Sequence, residues 1–137
     1  MNSSIVDTNC LLSYVTNRDP QQYECMDNIF KSASKLQQEI VIISNVITEF
    51  VYVLQSVYKI KDHIISKMVS DLLNNPGMTY QHGYYPDTII KFWPNNIKDF
   101  GDAVIAASAS VLKCSIYTFD KSFAGQLKKL KIDYELL

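Results

Sequence analysis

The chain has 137 residues, 47% of them hydrophobic and 20% charged, with a formal net charge of −1. That size and balance suit one packed domain spanning residues 1–137, and they exclude a disordered chain or a strongly basic nucleic-acid binder. No apolar run reaches the roughly 18 residues needed to cross a bilayer, and Met1-Asn-Ser-Ser-Ile-Val-Asp7 lacks the basic and apolar regions of a secretory signal. No membrane association and a cytoplasmic location are the expectations.

Ser3 to Val6 reads as a short buried strand stopping at Asp7, and Cys10 to Val15 as a short helix. Asp19-Pro20 is a helix start, because Asp caps and Pro is tolerated in the first turn. Tyr23, Met26, Phe30 and Ala33 then recur at helical spacing to about Leu36. Ile40-Val-Ile-Ile43 is fully apolar, as in a strand covered on both faces. Ser44 or Asn45 is expected to cap the next helix, with Val46, Phe50, Val53, Leu54 and Val57 as its stripe. Glu49 falls at the margin of that stripe, about 60° from its centre.

Ile60, Ile64, Met68, Leu72 and Leu73 give an amphipathic helix ended by Asn74-Asn-Pro-Gly77, with Asp62, His63, Lys67 and Asp71 on its solvated side. Met78 to Gly83 reads as a short strand, and Thr88 to Trp93 as helical. Asp99 is the expected N-cap of a helix beginning near Gly101. On that helix Ile105, Ala106 and Ala109 share the side of Asp102, and the small residues permit close packing on a sheet. Ile116 to Phe119 is a strand ended by Asp120. A short helix or turn follows from Lys121, and Ile132 to Leu136 reads as an edge strand.

Strands alternate with helices and no hairpin signal such as Asn-Gly occurs. The pattern predicts an α/β fold with a mainly parallel central sheet and helices on both faces. Ligands of such sheets bind beyond the carboxyl ends of the strands, where Asp7 and Asp120 stand. Cys10, Cys25 and Cys114 form no Cys-x-x-Cys pair and read as small buried fillers. His63 and His82 are not spaced as a metal pair, and Lys128, Lys129 and Lys131 read as a solvated helix end.

Asp7, Glu49, Asp102 and Asp120 each border an apolar segment at the start or end of an element. Singly, each has a structural explanation as a cap, turn or helix-edge residue. Together at one end of a sheet, they repel. Two charges about 5 Å apart cost roughly 3 kcal/mol at an effective dielectric near 20, so six such pairs cost on the order of 10–20 kcal/mol. A domain is stable by only about 5–15 kcal/mol. Protonation or bound divalent cations must relieve the cluster, and oxygen ligands without Cys or His select Mg2+ or Mn2+. Such ions lower the pKa of water and stabilise a leaving oxygen in phosphodiester hydrolysis. No Ser-His-Asp or Cys-His arrangement competes.

Ile5-Val-Asp-Thr-Asn9, Thr48-Glu49-Phe50, Asp102-Ala-Val-Ile-Ala-Ala107 and Tyr117-Thr-Phe-Asp-Lys-Ser-Phe123 resemble, in order and spacing, the four motifs of PIN-domain ribonucleases. The VapC-type toxins of toxin–antitoxin pairs look most similar. The resemblance implies a three-layer α/β/α PIN-like fold and a Mg2+- or Mn2+-dependent endoribonuclease acting on RNA. It implies that Asp7, Glu49, Asp102 and Asp120 form the catalytic, metal-binding tetrad, with Asp7 and Asp102 on the principal metal and Asn9 and Thr118 in support. It also implies a homodimer and a cognate antitoxin.

Two rival readings have their own signatures. A PIN-like module that binds RNA or a partner without cutting is argued against by an intact tetrad. A phosphate-accepting receiver domain wants paired acids after its first strand, whereas Asp7 is followed by Thr8 and Asn9. The segment from Tyr80 to Asn96 matches no motif. Its Tyr84, Tyr85, Phe92 and Trp93 suit base stacking, a dimer interface or core packing. The role of Asp99 is open at this level.

Overall fold

The computed structural model describes residues 2–137. In chain order the elements are β1 (Ser3–Val6), α1 (Thr8–Val15), α2 (Pro20–Ser34), β2 (Glu39–Ile43), α3 (Ser44–Ser56) and α4 (Asp62–Leu73). They continue with β3 (Met78–Gln81), α5 (Pro86–Phe92), α6 (Phe100–Leu112), β4 (Ser115–Thr118), α7 (Lys121–Leu130) and β5 (Tyr134–Leu136). The strands form one sheet in the order β3-β2-β1-β4-β5, and every pairing is parallel. This is the α/β architecture expected from the alternation of elements, with the last strand at an edge.

The central strands are apolar on both sides because both faces are covered. Ile5, Val6, Ile40, Ile42, Ile43 and Ile116 are wholly buried. The crossovers from β1 to β2 and from β2 to β3 step one way along the sheet, and those from β3 to β4 and from β4 to β5 step the other way. Right-handed crossovers of opposite direction lie on opposite faces, which makes the three layers. The direction reverses at the neighbouring strands β1 and β4, so the crevice of an open α/β sheet opens beyond their carboxyl ends.

Helix α6 is buried on all sides from Ala103 to Ala109. Four alanines in that run keep the helix thin enough to lie close on β1 and β4, and it also touches α5 and α3. The hydroxyl of Ser108, inside this run, reaches the carbonyls of Gly83 at 2.5 Å and Val104 at 2.9 Å.

Several local expectations are corrected. Neither Ser44 nor Asn45 caps α3: the cap position is Ile43, which has no side-chain cap bond. The strand turns into the helix without a spare residue, and the Ser44 hydroxyl instead donates to the carbonyl of Gln81 at 3.4 Å. On α4 the buried residues are Ile65 and Leu72, with Met68 and Val69 partly buried, while Ile64 and Leu73 are exposed. The sequence carries apolar doublets at 64–65, 68–69 and 72–73, so two stripes about 100° apart are available and packing against α3 and β3 selects one. Val57 lies past the end of α3 and is exposed. Cys10 and Cys114 are buried, but Cys25 is only half-buried. Of the helix or turn expected after Asp120, the structure has the helix, ten residues long.

Candidate active site

Helices leave the carboxyl ends of the parallel strands, and each helix start has N–H groups with no partner in the helix. Short acidic side chains satisfy them. Asp7 caps α1 through the N–H of Cys10, Asp99 caps α6 through that of Asp102, and Asp120 caps α7 through that of Phe123. The capping explanation of these acids is therefore correct, and it does not use them up. A cap needs one carboxylate oxygen, and in Asp99 and Asp120 the other oxygen makes no side-chain bond.

The three caps, Glu49 from α3 and Asp102 from the first turn of α6 line a single cleft of about 360 Å³. Thr8, Asn9, Lys98, Ser122 and Gln126 contribute to its walls. Asp7 is 4% exposed and held from two sides: Oδ1 accepts from the N–H of Cys10 at 3.1 Å, and Oδ2 from the Thr118 hydroxyl at 2.5 Å. The Thr8 hydroxyl donates to Glu49 Oε2 at 2.9 Å, tying α3 to the start of α1. A β-carbon on Gly101 would crowd Asp99 Oδ1 at 3.1 Å, while Asn45 and Glu49 of α3 stand at ordinary contact distance, 3.6 Å and 3.9 Å.

The two ion pairs among the described residues, Lys31–Asp27 and Lys67–Asp71, lie on helix surfaces and neutralise none of the five cleft acids. The field converges on Asp102. Burial above all, then Asp99, Asp7, Asp120 and Glu49, pushes its carboxyl up to about 7. Burial also raises Asp7, against the lowering effect of its bonds from Thr118 and Cys10, with Asp120 adding to the rise.

This donor set fits a hard divalent cation. It offers carboxylate oxygens from four elements, no cysteine or histidine lines the cleft, and none of its acids forms an ion pair with Lys98, the basic residue on its wall. Among the described residues no three His, Cys, Asp or Glu side chains already stand as a closed cage.

Asp7, Glu49, Asp102 and Asp120 thus stand around one cleft together with Asn9. Thr118 is wholly buried behind it and acts on Asp7 rather than on the cleft surface. Asn9 is exposed and takes a weak 3.4 Å bond from Arg18. Thr8, Lys98, Ser122 and Gln126 escaped the reading of the sequence. A β-strand end followed by Asp-Thr signals a cap, but nothing local tells that Thr8 reaches Glu49, 41 residues away.

Among the described residues no helix is long and apolar enough to cross a membrane. A family model described as PIN domain matches residues 4–126. No curated protein matches the sequence. Among solved structures, the chain is similar to one in the VapBC2 complex from Rickettsia felis bound to a DNA fragment from its promoter. The TM-score is 0.61 at 17% identity, over 97% of each chain. That likeness is one of fold.

Proposed function

This chain belongs to the PIN domain family, and from that premise we propose that residues 1–137 act as one divalent-cation-dependent endoribonuclease domain. The observation that carries the reading is the meeting of five carboxylates, unpaired by any lysine or arginine, at the reversal point of the sheet.

In this reading Asp7 and Asp102 hold Mg2+ or Mn2+ directly, and Glu49 and Asp120 complete the shell. A cation bound there supplies Lewis acidity toward a phosphodiester and a nearby water. Thr118 fixes the rotamer of Asp7, and Thr8 that of Glu49. Capping bonds to Cys10 and Phe123 hold Asp7 and Asp120 on rigid helix starts, which is the pre-organisation a catalytic site needs. Asn9 and Lys98, on the walls, face the entering RNA. Single-stranded or looped RNA is the substrate, because its backbone is accessible.

The test is cleavage of end-labelled single-stranded RNA by the wild-type protein with Mn2+ or with chelator, beside Asp7→Asn. Metal-dependent cutting by the wild type, lost in a folded Asp7→Asn protein, is the expected result. Equal cutting by both proteins sinks the assignment. RNA binding with no cutting under any divalent cation favours the non-cleaving module instead.

The likeness to a chain of the VapBC2 complex supports a further step, that this nuclease is the toxin of a type II toxin–antitoxin pair. It then works in the cytoplasm as a homodimer silenced by a cognate antitoxin. Growth arrest on expression, relieved by the product of the adjacent gene, is the expected behaviour. Unimpaired growth with active enzyme present in the cell argues against it.

A further inference from the structure

A second recess lies at the same end of the sheet, on the side of β2 and β3. Ser44, Asn45 and Thr48 of α3 wall it on one side, and His82 and Tyr84, which follow β3, on the other. Its volume is about 330 Å³. It adjoins the acidic cleft through a shared wall. Asn45 Nδ2 and Glu49 Oε2 lie 3.6 Å and 3.9 Å from the position of a β-carbon on Gly101. One helical turn of α3 thus presents Asn45 toward the recess and Glu49 toward the cleft.

Three features suit the recess to a ligand of definite chemistry. Its walls carry no carboxylate, whereas the cleft beside it carries five; a polyanionic chain crosses the recess without the repulsion it meets next door. Its polar side chains are unengaged: apart from the weak Ser44 bond to Gln81, no side-chain hydrogen bond of the described residues involves Asn45, Thr48, His82 or Tyr84. Tyr84 is 58% exposed, so much of its ring is open. An open aromatic face beside an amide and a hydroxyl is the arrangement that takes an unstacked nucleobase, through its face and its edge respectively.

We propose that this recess is a nucleoside subsite, holding the residue of single-stranded RNA next to the phosphodiester in the acidic cleft. The base stacks on Tyr84, and its edge faces Asn45 and Thr48. The inference rests on the nuclease reading and names how that site chooses its substrate. A base paired within a duplex keeps its own stacking neighbours and does not enter, so the subsite selects unpaired RNA.

The test is binding of a fluorescently labelled single-stranded oligoribonucleotide, followed by anisotropy in Mg2+. The protein is the 137-residue chain carrying Asp7→Asn, which retains the recess. Adding Tyr84→Ala is expected to weaken binding about 5-fold or more, the lower end for loss of one base–aromatic stack. Tyr84→Phe keeps the ring and holds affinity within about twofold. Tyr52→Ala, on an exposed part of α3 outside both recess and cleft, leaves affinity unchanged. Unaltered binding in the Tyr84→Ala protein overturns the proposal. So does an equal loss in Tyr84→Phe, or an equal loss for the same sequence as a duplex. A shift in sedimentation caused by Tyr84→Ala, with RNA affinity intact, assigns the recess to protein contact and also overturns it. Wild-type cleavage with Mn2+ judges the nuclease reading separately: RNA held through Tyr84 but never cut ends that reading and leaves the subsite standing.

Discussion

The Thr118 hydroxyl donates to Asp7 Oδ2 at 2.5 Å and accepts from the backbone N–H of Asp120 at 3.0 Å. One buried side chain on β4 thereby links the acid at the end of β1 to the acid at the end of its own strand. The link exists because β1 and β4 are neighbours in the sheet, with Val6 beside Tyr117. Thr118→Val preserves shape and removes the hydroxyl, leaving a buried carboxylate oxygen and an N–H without partners. The expected cost is about 1–3 kcal/mol in urea unfolding, together with weaker Mn2+ binding by calorimetry. Thr118→Ser restores both. Wild-type stability and affinity in Thr118→Val would remove the residue from the site's support.

The metal-free protein is expected to lose stability as pH rises. In the folded chain the carboxyl of Asp102 is pushed from 3.8 up to about 7, so the native state binds the extra proton across that window. Stability contributed by the neutral form is present below pH 4 and disappears as pH climbs toward 7. Asp102→Asn removes this penalty. After discounting for a group only half-buried, the gain is about 1–2 kcal/mol at pH 8 and near zero at pH 4. Urea melts of both proteins in chelator at the two pH values measure it, and an equal difference at both rules out the electrostatic cause.

Asp99 has two separable roles. As the cap of α6 it accepts from the N–H of Asp102 at 2.9 Å, and as a charge it is the second cause, after burial, of the raised Asp102 carboxyl. Asn caps as well as Asp, whereas Ala does not. Asp99→Asn is therefore expected to keep the stability of α6 while moving the titration of Asp102, followed by carboxyl carbon NMR, down toward the ordinary range. Asp99→Ala moves it likewise and also costs about 1 kcal/mol of stability. An unmoved Asp102 titration in both variants contradicts the charge role.

Binding of a cation to the folded state alone stabilises the protein in proportion to its occupancy. At a hundredfold excess over Kd the gain is about 2.7 kcal/mol. Thermal melting in Mn2+ against chelator is expected to show a corresponding upward shift for the wild type, and little or none for Asp7→Asn or Asp102→Asn. A shift of the same size in all three proteins places the ion elsewhere.

Much of the fold was legible along the chain. Apolar runs such as Ile40–Ile43 and the periodic stripe through Val46, Phe50 and Leu54 declare themselves locally, and these residues are buried. Asp19 and Asp99 signal helix starts and act as the caps expected. Where the pattern is degenerate it misleads, as with the apolar doublets of α4. Ser44, a favoured cap residue, is overruled by a strand that runs straight into its helix.

The candidate site divides in the same way. The sequence by itself determined which acids stand at element ends, because capping chemistry and hydrophobic boundaries are local properties of the chain. It left open their meeting. Only the tertiary structure decided that β1 lies beside β4, that Thr118 bridges Asp7 to Asp120, that Thr8 reaches Glu49, and that Asp99 joins as a fifth acid around Asp102. Strand order and the approach of α3 to α6 depend on packing between segments far apart in the chain, and no local periodicity encodes which strand becomes the neighbour of which.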